Sequence, residues 1–257
     1  MATKRIHVPG KTWNRRAFLL AGQAAALAWP LLGMAPSAFA RKSVKFSDYP
    51  FSLGVASGDP LPDGFVIWTR LAPKPLEGGG MPSEPVEVAW QVADDEAMTK
   101  IVAHGTAVAT PDMAHSVHVE VQGLAPNRWY FYQFSAAGEV SPKGRARTSP
   151  KADEMPERLR FAFASCQHYE TGLFTAYQHM VKEDLDLIAH LGDYIYEGAG
   201  RDKQLRKHLG PLLTEVVDYR NRHAQYKTDP LLQAAHAKCP WVVTWDDHEV
   251  ANNYADS

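Results

Sequence analysis

Cysteine is scarce in this chain. Cys166 and Cys239 are the two among 257 residues, enough for one bridge and too few for a disulfide scaffold. A basic excess is lacking too. The formal net charge is -2, which argues against an electrostatic nucleic-acid binder, because neutralising phosphates requires a basic face. There is no glycine-rich phosphate loop with its Lys, which excludes a nucleotide-driven motor. No closed Cys/His tetrad can be spaced out, which excludes structural zinc. What remains is globular: 22% charged and 45% hydrophobic residues, in a chain long enough for two domains or for one large domain with a leader. Its eleven His are scattered, and their number alone decides nothing.

Residues 1–40 read as an export leader. Asn14-Arg15-Arg16-Ala17-Phe18-Leu19 precedes a moderately apolar segment, Ala21 to Leu32, and then Ala38-Phe39-Ala40. This is a positive region, an apolar region and a small-x-small cleavage site, so the mature chain would begin at Arg41. The paired Arg resemble a twin-arginine signal, which makes the Tat export machinery an expected partner and the periplasm or exterior the expected location. Asn14 and Leu20 depart from the usual residues of that signal. Gln23, Pro30 and several Ala and Gly make the segment a poor spanning helix, so no stable membrane span is expected after cleavage.

Residues 44–150 read as all-β. Phe65–Thr69, Val86–Val92, Ser116–Val121 and Trp129–Phe134 are rich in β-branched and aromatic residues and are separated by turn clusters such as Asp59–Gly64 and Gly78–Gly80. The expectation is a fibronectin/Ig-like sandwich of about seven strands. His115 and His118 have no carboxylate or Cys partner at matching spacing and read as ordinary strand residues. Asp59 and Asp63 bracket prolines and read as turn formers.

Ser149–Glu157 suits a linker, and residues 158–257 then alternate strand and helix. Apolar runs at Leu159–Ala164, Leu185–Leu191 and Trp241–Trp245 have the length of buried strands. Gly172 to Asp184 carries Leu173, Tyr177, Met180 and Val181 at helical spacing with Thr171 as N-cap, and residues 201–238 read as mostly helical with breaks at Gly210-Pro211 and Asp229-Pro230. This order predicts a parallel sheet whose strand ends deliver Cys166, Asp193 with Tyr196, and Asp246-Asp247-His248-Glu249 to one edge. Acidic groups crowded around one His repel unless cations neutralise them, and Asn252-Asn253 add amide oxygens. Thiolate and phenolate favour a transition metal such as iron, whereas carboxylate and amide oxygens favour calcium. The donor set therefore points to a mixed metal cluster able to clamp phosphoryl oxygens and acidify water. Cys239, before Pro240 at the start of a strand, reads as a buried structural thiol. A bridge to Cys166 would need opposite strand ends to meet.

Ala164-Ser165-Cys166-Gln167, Leu191–Glu197 and Trp245–Asn253 resemble the PhoD-like alkaline phosphatases, relatives of purple acid phosphatases among the metallophosphatases. Gly54–Pro60 and Val66–Arg70 resemble that family's β-sandwich. The resemblance covers nearly all of 44–257. It implies that the sandwich is followed by the first half of an α/β metallophosphatase domain, with ferric iron and calcium as cofactors. Cys166 and Tyr196 would bind iron, Asp193 would bridge iron to calcium, and Asp246 and Asn253 would bind calcium. Aligning His248-Glu249 on the broader superfamily's Asn-His-Glu motif instead puts Asp247 at the ligand position and His248 beside the substrate, where it acts on the transition state or leaving group. The implied reaction is alkaline hydrolysis of phosphate monoesters and diesters by a metal-activated oxygen nucleophile. The family continues beyond Ser257 with further Asp and His ligands, so the chain alone is expected to be inactive or poorly folded. The rival from another class is a calcium-dependent adhesion module with a degenerate second domain.

Overall fold

The computed structural model describes residues 44–254. The leader expected over 1–40 lies outside them. No helix among the described residues is long and apolar enough to cross a membrane.

Alternation builds the front of the molecule. Ser116–Gln122 (β5) buries Val117, Val119 and Val121 and turns His118 and Glu120 outward, and Trp129–Ala136 (β6) buries Tyr130, Tyr132, Phe134 and Ala136. This period of two is the pleat of strands with one buried face. The other front strands are Val55–Leu61 (β1), Gly64–Arg70 (β2), Val86–Ala93 (β3), Ile101–Ala109 (β4), Glu139–Val140 (β7) and Gly144–Arg147 (β8). Eight strands thus stand where about seven were expected, β7 being a two-residue strand on the side of β6. β3 pairs antiparallel with β4 and β6, and β6 also takes β7 and β8. β2 pairs antiparallel with β1 and β5. Ile67 and Val119 from one sheet and Val88, Tyr132 and Phe134 from the other share a single apolar core. Asp59 does not make a turn: it sits in β1 at φ 46°, within a register shift between Gly58 and Leu61, and the hairpin turn is Pro62-Asp63. His115 is buried against the Glu84 carbonyl and His118 is exposed; neither joins a metal-competent group among the described residues.

The rear strands are Phe161–Ala164 (β9), Leu187–His190 (β10) and Trp241–Val243 (β11). β10 lies between β9 and β11 and is parallel to both. They extend the β1 sheet, giving the order β5-β2-β1-β11-β10-β9. The join is a parallel bridge at Gly58 and Trp241, and a Cβ on Gly58 would come 2.8 Å from the Trp241 carbonyl oxygen. Only glycine permits that approach.

The helices are shorter than the periodicity predicts. Thr175–Met180 (α1) replaces the helix expected over 172–184, and its N-cap is Phe174 at φ 55°. The Thr171 hydroxyl is taken by the His168 carbonyl and caps nothing. Residues 201–214 form turns where a helix was expected, because the buried Glu170 carboxylate pulls in the N–H groups of Arg201 and His208 and so satisfies them outside a helix. The true helices there are Val216–Lys227 (α2) and Pro230–Lys238 (α3). The expected break at Asp229-Pro230 separates them: Asp229 accepts from the N–H groups of Leu231 and Leu232, and Pro230 occupies the first turn.

Candidate metal centre

Each rear strand ends in a tight loop, and those loops meet. After β9 the chain turns at Cys166, φ 55°, whose N–H donates to the Gly192 carbonyl at 3.1 Å. After β10 it turns at Gly192, φ 110°, and Asp193, φ 54°. A Cβ on Gly192 would stand 2.5 Å from Cβ of Asp246. This glycine therefore admits the loop that follows β11. Cys166, Asp193 and Asn253 are all non-glycine residues in the left-handed region, a conformation that costs on the order of 1 kcal/mol or more each and persists where surroundings impose it.

Asp193 is buried at the centre of this meeting point. Its Oδ2 accepts the Tyr196 phenol at 2.9 Å, while its Oδ1 is buried and has no hydrogen-bond partner. One ligand atom each from Asp193, Asp247 and His248 lies within 4.8 Å of the others. Asp246 and Cys166 are exposed and belong to no such group of three among the described residues. Cys166 is nevertheless beside Tyr196, close enough to act on its phenol. Asn253 is exposed, and its N–H donates to the Asp247 carboxylate. Burial first, then the bond to Asp193 and the charges of Asp193 and Cys166, push the Tyr196 phenol well above its usual pKa. The Asn253 N–H in turn holds the Asp247 carboxyl below its usual value.

Three carboxylates of this rim, Asp193, Asp246 and Asp247, have no Lys or Arg ion pair among the described residues. An orphaned buried carboxylate oxygen, a neighbouring second carboxylate, an imidazole and a phenol beside a thiol fit a bound cation. A cation placed there would reverse the sign of the field that keeps the phenol protonated.

Several residues that build the rim have roles the sequence does not assign. Glu249 accepts from the N–H groups of Asp193 at 3.1 Å, Tyr194, and Asp246 at 2.8 Å, so one carboxylate ties two loops together. Buried Glu197 accepts from the Asn252 N–H at 2.7 Å and pairs with Nδ1 of His248 at 2.7 Å. Burial alone would lower the pKa of His248, but the bond to Glu197 and its charge outweigh that and raise it. The Tyr196 ring lies between those of His168, at 4.3 Å, and His248, at 4.1 Å. Arg222, buried in α2, donates to the carbonyls of Tyr196 and Gly198 and fixes the loop from behind. Glu197 and Glu249 lie inside the motifs, but acceptors for distant backbone N–H groups cannot be identified without the partner loop. His168 is two residues from Cys166, and nothing in its spacing distinguishes it.

Residues 35–150 match the family profile described as the PhoD-like phosphatase N-terminal domain, and residues 161–257 match that of the PhoD-like phosphatase. The chain belongs to the PhoD-like phosphatases. It is 53% identical over 253 residues to alkaline phosphatase D of Bacillus subtilis (strain 168), an alignment covering 95% of this chain and 43% of that relative. It is also similar to a solved structure titled "Structure of PhoD", with 57% identity and a TM-score of 0.81, over 82% of this chain and 42% of the other. The chain thus spans less than half the length of either PhoD relative. Cys239 is buried, its thiol pushed up to about 12 by burial, and both cysteines are unpaired.

Proposed function

We propose that residues 158–257 form the first half of an α/β metallophosphatase domain behind a fibronectin/Ig-like sandwich over 44–150. In this reading the protein is an exported enzyme that hydrolyses phosphate monoesters and diesters at alkaline pH. The observation that carries it is Asp193: a buried carboxylate with one oxygen pinned by Tyr196 and the other unpartnered, facing a second carboxylate and an imidazole. Cys166, Tyr196 and Asp193 would hold ferric iron. Asp193 would also serve calcium, together with Asn253 and Asp246 or Asp247. The closeness of Asp247 to Asp193 supports Asp247 as the nearer donor. Bound, the two metals would supply Lewis-acid stabilisation of a phosphoryl group and a nucleophilic oxygen.

The chain's own side chains do the rest. Glu197 orients the His248 imidazole through Nδ1, and its charge favours the protonated ring, which suits donation to a leaving oxygen or to developing phosphoryl charge. Glu249 holds the Asp193 and Asp246 loops at one spacing, so donors on separate strands keep a common geometry. Cys166, Asp246 and Asn253 are exposed, and this open side supports the view that further ligands are needed for turnover.

Hydrolysis of a nitrophenyl monoester and a bis-nitrophenyl diester by the protein made from its complete gene tests the reading. Activity on at least one ester, lost in both Asp193→Asn and His248→Ala, is the expected result. No activity on either ester, or activity that survives both substitutions, contradicts it. Residues 41–257 alone should show no turnover. Export is tested by replacing Arg15 and Arg16 with Lys: the protein should then stay in the cytoplasm, and unchanged export contradicts the twin-arginine route.

A further inference from the structure

β2 and α2 border an open cavity of about 470 Å³ in which positive groups gather without an ion pair; His223 and Lys227 also line the neighbouring cavity, which Glu249 of the rim reaches. Arg70, 6% exposed, projects from β2. Its guanidinium donates to the carbonyls of Ala114 at 2.9 Å and Arg220 at 3.2 Å, both neutral. Arg220 donates to the Asp112 carbonyl, again a neutral acceptor. Lys227 is half-buried on α2; its ammonium makes no hydrogen bond or ion pair with any described residue and lies 4.6 Å from the centre of the Trp68 ring. His223 stands one helical turn before Lys227 on the same wall. None of the carboxylates of the described residues pairs with Arg70, Arg220 or Lys227.

A buried cation without an anion is costly, and Arg70 is such a cation, with the partly buried Arg220 and Lys227 around the same space adding to that cost. The ionisation of the groups shows the strain. Burial pulls Lys227 down to about 7. Burial, then the charges of Lys227 and Arg70, pull His223 down to about 4, so it is a neutral donor at pH 7. Burial and the neighbouring Arg220 lower Arg70 as well, though a guanidinium stays charged. The Trp68 ring and Val216 add a flat apolar wall beside these charges.

We infer that this cavity binds a small organic oxyanion: a carboxylate, sulfonate or phosphate carried on a flat, ring-bearing body. The oxyanion would lie among Arg70, Arg220, His223 and Lys227, and the ring would stack along Trp68. Asp193, Asp247 and His248 do not line this cavity, so the inference stands or falls separately from the phosphatase reading.

The test is calorimetric titration of the full chain, freed of metal with a chelator, using benzenesulfonate, sodium sulfate and benzyl alcohol as probes. Benzenesulfonate should bind saturably and more tightly than sulfate or benzyl alcohol, because it alone offers both charge and ring. Lys227→Met should weaken it about tenfold, the loss of one charge-assisted contact. Arg220→Gln should weaken it about threefold, since that guanidinium keeps its backbone bond. Asp193→Asn should leave it unchanged. Near-UV circular dichroism establishes that each variant is folded, and Arg220→Gln decides if Lys227→Met is not. Absence of saturable binding overturns the inference, as does equal binding of all three probes, or affinity unchanged in every folded cavity variant.

Discussion

The front strands and the rear strands are built from similar apolar runs and are used in opposite ways. β5 and β6 alternate and bury one face against the opposing sheet, with His118 and Glu120 of β5 and Gln133 and Ser135 of β6 on the other face. β9 and β11 do the reverse: Phe161 and Phe163 are 57% and 66% exposed and Val242 and Val243 are also exposed, while carboxylates and imidazoles are buried where the rear strands end, at His190, Asp193 and Glu197. Non-glycine left-handed residues occur in both regions, at Asp59, Ala114 and Asn127 in the front and at Cys166, Asp193 and Asn253 in the rear, and those of the rear flank the rim. The rear region has an apolar core of its own, in which Ile188, Ile195, Tyr226, Leu232 and Trp241 are buried, but its rim holds buried polar groups whose placement costs stability.

The comparison is broken most directly by substitution in each region. Phe134→Ala, in the core shared by both front sheets, should cost about 3–5 kcal/mol in chemical denaturation and leave metal uptake per folded molecule unchanged. Glu249→Ala strips the acceptor from three backbone N–H groups and should cost about 2–3 kcal/mol. In equilibrium dialysis it should also weaken metal binding by about 100-fold, since the loops no longer hold their spacing. A loss of stability with metal affinity intact would show that Glu249 serves the fold alone.

Glu170 sharpens the comparison through pH. Burial raises its pKa, but bonds from Arg201 and His208 outweigh that and hold the carboxyl down to about 2. A depressed carboxylate contributes stability that is complete above its unfolded value and is lost as pH falls through the folded one. Denaturation should therefore show a contribution of about 2 kcal/mol present at neutral pH, lost between roughly pH 4.5 and pH 2, and missing throughout in Glu170→Gln. Asp193→Asn should show the smallest change in stability, within about 1 kcal/mol in the absence of metal, because one carboxylate oxygen is already unpaired. A destabilisation as large as that of Phe134→Ala would end the distinction between the two regions.

Much of this architecture is legible from side-chain pattern. The alternation of Val117, Val119 and Val121 and the apolar runs before Cys166, Asp193 and Asp246 mark the strands, because burial on one or both faces leaves that imprint. Helix length is not legible over 172–184 and 201–214. Over 201–214 a buried carboxylate, Glu170, satisfies N–H groups that periodicity alone assigns to a helix. Likewise, the residue types of Asp193, Tyr196 and Asp247 announce polar chemistry, but nothing local says that Gly192 admits Asp246 or that Glu249 spans two loops. Such features depend on segments more than fifty residues apart.

The central claim is that side chains from the ends of separate parallel strands share bound cations. Elemental analysis and the visible spectrum of the protein produced with iron and calcium supplied address it in one sample. The account predicts both metals in the purified protein and a phenolate-to-iron absorption band that disappears in Tyr196→Phe. A colourless protein free of iron, or a band that survives Tyr196→Phe, would contradict it.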